Sequence, residues 1–205
     1  VIMSIEQAVR HVQERDAAGV VTNPISKKLL YDAGFSFPGH TEFLASLTGQ
    51  EGRKHPRPIM MLVGGGLKVS LATIHLPLKD VANTLSEELL SEVFSITYEA
   101  LQTDFGINAP RLAICGLNPH AGEERSLGHE DADIIAPAIT ALQEKGMTLI
   151  GPRPGDTAFR EALDGAADAV VAMYHDQGLI PVKTLDMWGG VNVTLGLPIV
   201  RTSPD

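Results

Sequence analysis

Three histidines occupy comparable places in the chain. His75 closes Ala72-Thr-Ile-His75, His120 closes Gly116-Leu-Asn-Pro-His120, and His175 sits in Tyr174-His175-Asp176, each just after an apolar run. They lie 120 − 75 = 45 and 175 − 120 = 55 residues apart, so no local ligand motif such as His-x-x-x-His joins them. Singly, a histidine at a strand end is an ordinary hydrogen-bonded residue. Together, three neutral imidazoles would leave a bound divalent ion its full charge, a strong Lewis acid with positions open to substrate oxygen. The other histidines are placed differently: His11 on an exposed helix face, His55 in the polar loop Glu51 to Arg57, and His129 in a loop before a helix.

A second group of residues suits anions. Gly39-His40-Thr41-Glu42 sets hydrogen-bonding side chains at a predicted helix start, where unpaired backbone N–H groups attract negative charge; the plainer reading is that Thr41 only caps the helix. Lys183 and Arg201 flank the Gly-rich segment Gly189 to Pro198, either as surface cations or as phosphate and carboxylate partners. Neither Gly-x-Gly-x-x-Gly, a Walker-type loop nor Gly-x-Ser-x-Gly is present. Cys115, inside a predicted buried strand, reads as core rather than nucleophile.

The elements that must position these groups alternate. A helix is expected behind Ser4 as N-cap and ending at Gly19, then a buried strand Val20-Val21 and a turn at Thr22-Asn-Pro24. Further helices are expected over Ser26 to Ala33 and after His40. Ile59 to Val63 and Val69 to Ile74 read as a hairpin closed by Gly64-Gly-Gly66. Apolar residues from Leu78 to about Phe105 keep a helical period, predicting the longest helix. Then come a strand at Leu112 to Cys115, a helix over Asp131 to Lys145, a strand at Met147 to Ile150, a short helix over Ala158 to Leu163 and a strand at Ala167 to Met173. Such alternation predicts an α/β fold with a parallel or mixed sheet. In such sheets ligands gather at the carboxyl ends of strands, where the three histidines fall.

Composition narrows the function classes. The 205 residues are 44% hydrophobic, enough for an ordinary core, and no internal repeat or linker marks a domain boundary. Sixteen basic against twenty-five acidic residues give a net charge of −9, which argues against nucleic acid as partner. The most apolar stretch, Ile59 to Ile74, is broken by three glycines and Lys68, which argues against a membrane span. A single cysteine suits a reducing compartment, so a cytoplasmic location is expected. The chain starts at Val1 without a leader and stops at Asp205 just after an apolar run; both ends read as cut.

Thr22-Asn-Pro-Ile-Ser-Lys27, Gly39-His-Thr-Glu-Phe43, Thr73-Ile-His-Leu-Pro77, Cys115-Gly-Leu-Asn-Pro-His-Ala-Gly-Glu123, Ala172-Met-Tyr-His-Asp-Gln-Gly178 and Gly190 to Pro198 occur in one order along almost the whole chain. In that combination they resemble the 4-hydroxythreonine-4-phosphate dehydrogenase family of vitamin B6 (pyridoxal phosphate) biosynthesis. The resemblance implies an isocitrate/isopropylmalate dehydrogenase-like α/β fold, a mixed sheet flanked by helices. Residues 1–205 would then be one continuous portion of a larger two-subdomain dehydrogenase. It further implies a homodimer in which His75, His120 and His175 bind one divalent ion (Zn, Co, Ni, Mn or Mg) shared between subunits. His40, Thr41, Lys183, Asn192 and Arg201 match substrate-binding positions.

The implied reaction is NAD- or NADP-linked oxidation of a phosphorylated hydroxy acid, 4-phosphohydroxy-L-threonine, followed by decarboxylation. A bound ion would lower the pKa of the substrate alcohol and stabilise the enolate left when carbon dioxide departs. Asp156 and Lys183 are candidates for proton transfer, although Asp156 equally suits a helix cap. Leu185-Asp-Met-Trp188 lies where substrate-discriminating variation is expected, so relatives acting on phosphorylated four-carbon sugar acids or aromatic cis-dihydrodiol carboxylates remain alternatives. A zinc hydrolase and a non-catalytic binding module are the readings from other classes.

Overall fold

A computed structural model describes residues 1–25, 30–31, 34–37, 39–49 and 57–204. Most of the helix expected over Ser26 to Ala33, together with Lys27 and His55, lies outside them. The described elements are α1 (Ile2–Gln13), β1 (Val20–Val21), α2 (His40–Thr48), β2 (Ile59–Gly64), β3 (Leu67–Leu71), α3 (Leu78–Thr84), α4 (Glu87–Thr103) and β4 (Arg111–Cys115). After a turn over Pro119–Arg125 and a π-turn over Asp131–Ile135 follow α5 (Ala136–Gln143), β5 (Thr148–Arg153), α6 (Gly155–Leu163), β6 (Ala169–Ala172), α7 (His175–Leu185), β7 (Val191–Leu195) and β8 (Arg201–Pro204).

Eight strands form one mixed sheet in the order β1-β8-β7-β2-β3-β6-β4-β5. β3, β6, β4 and β5 run parallel, whereas β2 and β7 are antiparallel to their neighbours. Both faces of the parallel part are covered, which is why its strands are continuous apolar runs rather than alternating ones. On β6, Ala169 and Val171 face a core shared with Leu90, Phe94 and Leu101 of α4 and Ile139 of α5. Val170 and Ala172 face Phe159 of α6 and Leu179 and Val182 of α7. A third cluster joins Ile5 and Val9 of α1 to Phe43 and Leu44 of α2 and to Ile199.

The hairpin expected at the glycines is present. Gly65 (φ +57°) and Gly66 (φ +86°) supply the two positive-φ residues that a tight β-turn needs to match strand twist. At the amino ends of the strands, Asp168 binds Arg111 through its backbone N–H at 2.8 Å and its guanidinium at 2.9 and 3.1 Å, which holds the Asp168 carboxyl below its usual range. Among the described residues, no helix is long and apolar enough to cross a membrane.

Several expectations need correction. α1 is capped by Val1, not Ser4, and ends at Gln13, with Arg15 at φ +66°, well before Gly19. The helix expected from Leu78 to Phe105 is two, because Leu85 is extended and the Ser86 hydroxyl accepts from Leu89 N–H to start α4 afresh. Val21, expected buried, is 74% exposed, because β1 is an edge strand. α7, β7 and β8 were not foreseen.

Candidate metal and anion site

β3, β6 and β4 are adjacent and parallel, so their carboxyl ends meet at one edge of the sheet. Each is followed within a few residues by one of the three histidines. The His75 and His175 rings are 5.6 Å apart at an interplanar angle of 41°. The Asp176 carboxylate lies 2.8 Å from His175 Nδ1, leaving Nε2 for another partner. The loops are tied together below the rings. The backbone N–H and the hydroxyl of Thr73 donate to Met173 O at 3.2 and 2.7 Å. Gln177 accepts from Met173 N–H at 2.7 Å and donates to Gly116 O at 2.8 Å, which joins the ends of β6 and β4.

His120 sits on an unusual piece of backbone. His120, Ala121, Gly122, Glu123, Glu124 and Arg125 all have positive φ, between 40° and 79°. For residues with a Cβ this left-handed conformation costs about 1–2 kcal/mol each, so surrounding contacts must hold it. Asp131, 1% exposed, accepts from Leu117 N–H at 2.8 Å, Asn118 N–H at 3.1 Å and Asn118 Nδ2 at 2.9 Å. Glu130 accepts from Asn118 Nδ2 at 2.8 Å; a hydrogen bond to its own backbone N–H first, and then the one from Asn118, hold its carboxyl below the usual range. Within one chain the three histidines do not close into a cluster. Among the described residues, the one set of three or more potential ligands with donor atoms within 4.8 Å of one another is the exposed His11, Glu14 and Asp16.

The anion candidates lie on the sheet's other half. Arg201, at the start of β8, is only 6% exposed. Its guanidinium donates to the hydroxyls of Thr22 at 2.7 and 3.2 Å and Thr194 at 2.8 Å. No ion pair with a described carboxylate accompanies these bonds, and burial lowers its pKa. His40 opens α2, with Gly39 rather than Thr41 as N-cap; burial first, and then the charge of Arg201, hold its imidazole below the usual range. Two residues before Thr194 on β7, Asn192 has a buried Oδ1 without a hydrogen-bond partner among the described residues. Lys183 lines an open hollow along α7 with His175, Asp176, Ile180 and Met187. Asp156 is exposed in the first turn of α6, at the carboxyl end of β5; Pro154 is the N-cap, so the capping role does not apply. Burial pushes the Cys115 thiol up to about 12, as befits a core residue.

Sequence reading missed Thr22, Thr194, Gln177 and Asp131. Thr22, Gln177 and Thr194 lie inside the motifs that carry the family resemblance, which is the signal that could have found them, whereas Asp131 lies outside those motifs and only the fold brings it to the site.

The profile of the family described as Pyridoxal phosphate biosynthetic protein PdxA matches residues 1–205. A 4-hydroxythreonine-4-phosphate dehydrogenase of Caulobacter vibrioides is 52% identical over 206 residues, covering 100% of this chain and 62% of the relative. The crystal structure of the enzyme of that name from Klebsiella pneumoniae superposes with a TM-score of 0.92 at 41% identity, over 100% of this chain and 60% of that one. A terephthalate 1,2-cis-dihydrodiol dehydrogenase from Burkholderia xenovorans gives 0.78 at 31% identity, over 97% of this chain and 61% of that one. The chain therefore spans less than two thirds of the length of these relatives. The mixed sheet with flanking helices is the isocitrate/isopropylmalate dehydrogenase-like fold expected.

Proposed function

The chain belongs to the PdxA family of pyridoxal phosphate biosynthetic proteins, and on that footing we propose that it carries the metal- and substrate-binding part of an NAD(P)-linked dehydrogenase. The substrate would be 4-phosphohydroxy-L-threonine, in vitamin B6 synthesis in the cytoplasm. The observation that carries this reading is the delivery of His75, His175 and His120 to one edge by three adjacent parallel strands.

The donor set fits a divalent ion. Imidazoles sharing one ion with metal–nitrogen bonds of about 2.1 Å bring their ring centres to roughly 5 Å, close to the His75–His175 spacing. Asp176 fixes the tautomer that leaves Nε2 of His175 available. Because one chain does not close the three-histidine set, the reading includes a homodimer in which both subunits contribute ligands. When bound, the ion supplies Lewis acidity at the substrate alcohol and the nicotinamide accepts hydride.

The remaining work falls to this chain. Arg201, buried beside neutral hydroxyls, supplies the fixed positive charge that a phosphate or carboxylate lacks in water-poor surroundings. His40 stays neutral near pH 7 and so offers one N–H without adding a second charge. Thr41 and the first N–H groups of α2 complete that side, and Asn192 Oδ1 awaits a donor. Lys183, which shares the hollow with His175, and Asp156 would be the groups that take the alcohol proton and return one to the carbon that loses carbon dioxide. In the proposed oxidation the nicotinamide would accept the carbinol hydride and a base of this chain the hydroxyl proton, leaving a β-keto acid.

The test is NAD(P)⁺ reduction by the complete protein with 4-phosphohydroxy-L-threonine, with and without chelator. Metal-dependent reduction is expected. Turnover of an aromatic cis-dihydrodiol carboxylate instead would move the substrate toward the Burkholderia xenovorans neighbour. A phosphorylated four-carbon sugar acid would move it similarly, and hydrolysis without nicotinamide or binding without turnover would overturn the reading.

A further inference from the structure

We propose that Asp131 is a positioning residue for His120, holding the left-handed turn in the one shape that aims its imidazole at the metal. The inference rests on the reading of His120 as a ligand. Asp131 is buried, yet the partners described for it are neutral N–H groups, all from Leu117 and Asn118, immediately before the turn. A buried carboxylate so partnered is a poor stabiliser, but it fixes geometry well because its two oxygens bind three donors at once.

The space around it is closed. A Cβ at Gly116 would fall 2.5 Å from Asp131 Oδ1, one at Gly122 would fall 3.3 Å from Asp131 Cβ and Oδ2, and one at Gly128 would fall 2.4 Å from Asn118 Nδ2. Three glycines thus admit the Asp131–Asn118 pair, and Gly122 is itself part of the turn. Glu130 holds the other side of Asn118, and Arg125 at the turn's end pairs with Asp133 on the π-turn that Asp131 begins. The backbone on both sides of His120 is thereby anchored to one short segment, residues 130–133.

The test uses Co²⁺ as probe, titrated into the complete protein stripped of metal. Asp131→Asn keeps the volume but replaces one acceptor by a donor facing N–H groups. It is expected to weaken Co²⁺ binding about 10- to 100-fold, as loss of a ligand's supporting contact does, and to alter the visible d–d bands at saturating Co²⁺. A role confined to folding would leave the saturated spectrum unchanged. Asn118→Ala, which spares the backbone bonds to Asp131, is the second variant should Asp131→Asn not fold, with the same change expected in smaller degree. Wild-type affinity and spectrum in either folded variant, with His120→Ala losing both, would overturn this inference alone. Wild-type binding in His120→Ala would overturn the ligand reading and this inference with it.

Discussion

Arg201 poses the sharpest question at the scale of single residues. A guanidinium with three hydrogen bonds to two hydroxyls and no described carboxylate is in a costly place, and an apolar side chain of similar volume removes the burial of that charge in exchange for the three bonds. Arg201→Met should therefore leave the melting temperature unchanged or raised, while affinity for inorganic phosphate, read by calorimetry, falls at least about tenfold, a step of roughly 1.4 kcal/mol. A lowered melting temperature with intact phosphate binding would contradict the anion role. The same variant bears on His40. With its folded pKa lowered from 6.5, the folded chain binds fewer protons than the unfolded one below that pH. Stability linked to His40 is thus intact above about pH 6.5 and declines as pH falls through the lowered value. In Arg201→Met the His40 midpoint, followed by imidazole NMR, should move upward, because one of its two causes is gone. Residue types alone made His40, Arg201 and the histidine triplet visible. They could not reveal Asp131, since an aspartate at a helix start is commonplace and only its burial sets it apart.

Among the elements, α7 is decisive because it begins with His175 and carries Lys183 two turns later. Gly178 lets it lie on the sheet: a Cβ there would come within 2.5 Å of Leu71 Cδ2 and about 3.1 Å of Ala172 Cβ. Gly178→Ala should cost about 1–3 kcal/mol in urea unfolding, the usual penalty of overpacking, and weaken metal binding by tilting His175. Ser86→Ala, far from the site, should cost about 1 kcal/mol by removing the cap that separates α4 from α3, with metal binding unaffected. Strands buried on both faces were legible as apolar runs, and so was the glycine hairpin. α7 was not, because Pro181 and its polar first turn hide the period; β7 was not read either, although Val191, Val193 and Leu195 alternate with Asn192 and Thr194 as a strand does, between flanking glycines.

For the molecule as a whole, the homodimer proposed above can be tested at the apolar rim beside His175. Ile180 is 61% exposed, Leu185 51%, Met187 55% and Trp188 94%, and Ile180 and Met187 share the hollow with His175. Trp188→Glu should shift sedimentation of the complete protein from dimer toward monomer and lower Co²⁺ affinity in parallel; an unshifted dimer would exclude this face from the interface. Composition implied a folded acidic protein and the strand–helix alternation an α/β one, whereas the homodimer came only from the motif resemblance, because one chain's composition and periodicity carry no trace of a partner.

β1 has a single neighbour in the sheet, β8, and Val20 lies across from Arg201, 201 − 20 = 181 residues later. A ribosome adding about 5–20 residues per second takes roughly ten to forty seconds to cover that distance. Through that interval β1 has emerged without its partner, and Thr22 has no guanidinium to receive. The Thr22–Arg201 bonds can accordingly form on a nascent chain only after the histidine-bearing segments have been made, because Arg201 follows His75, His120 and His175 in the chain.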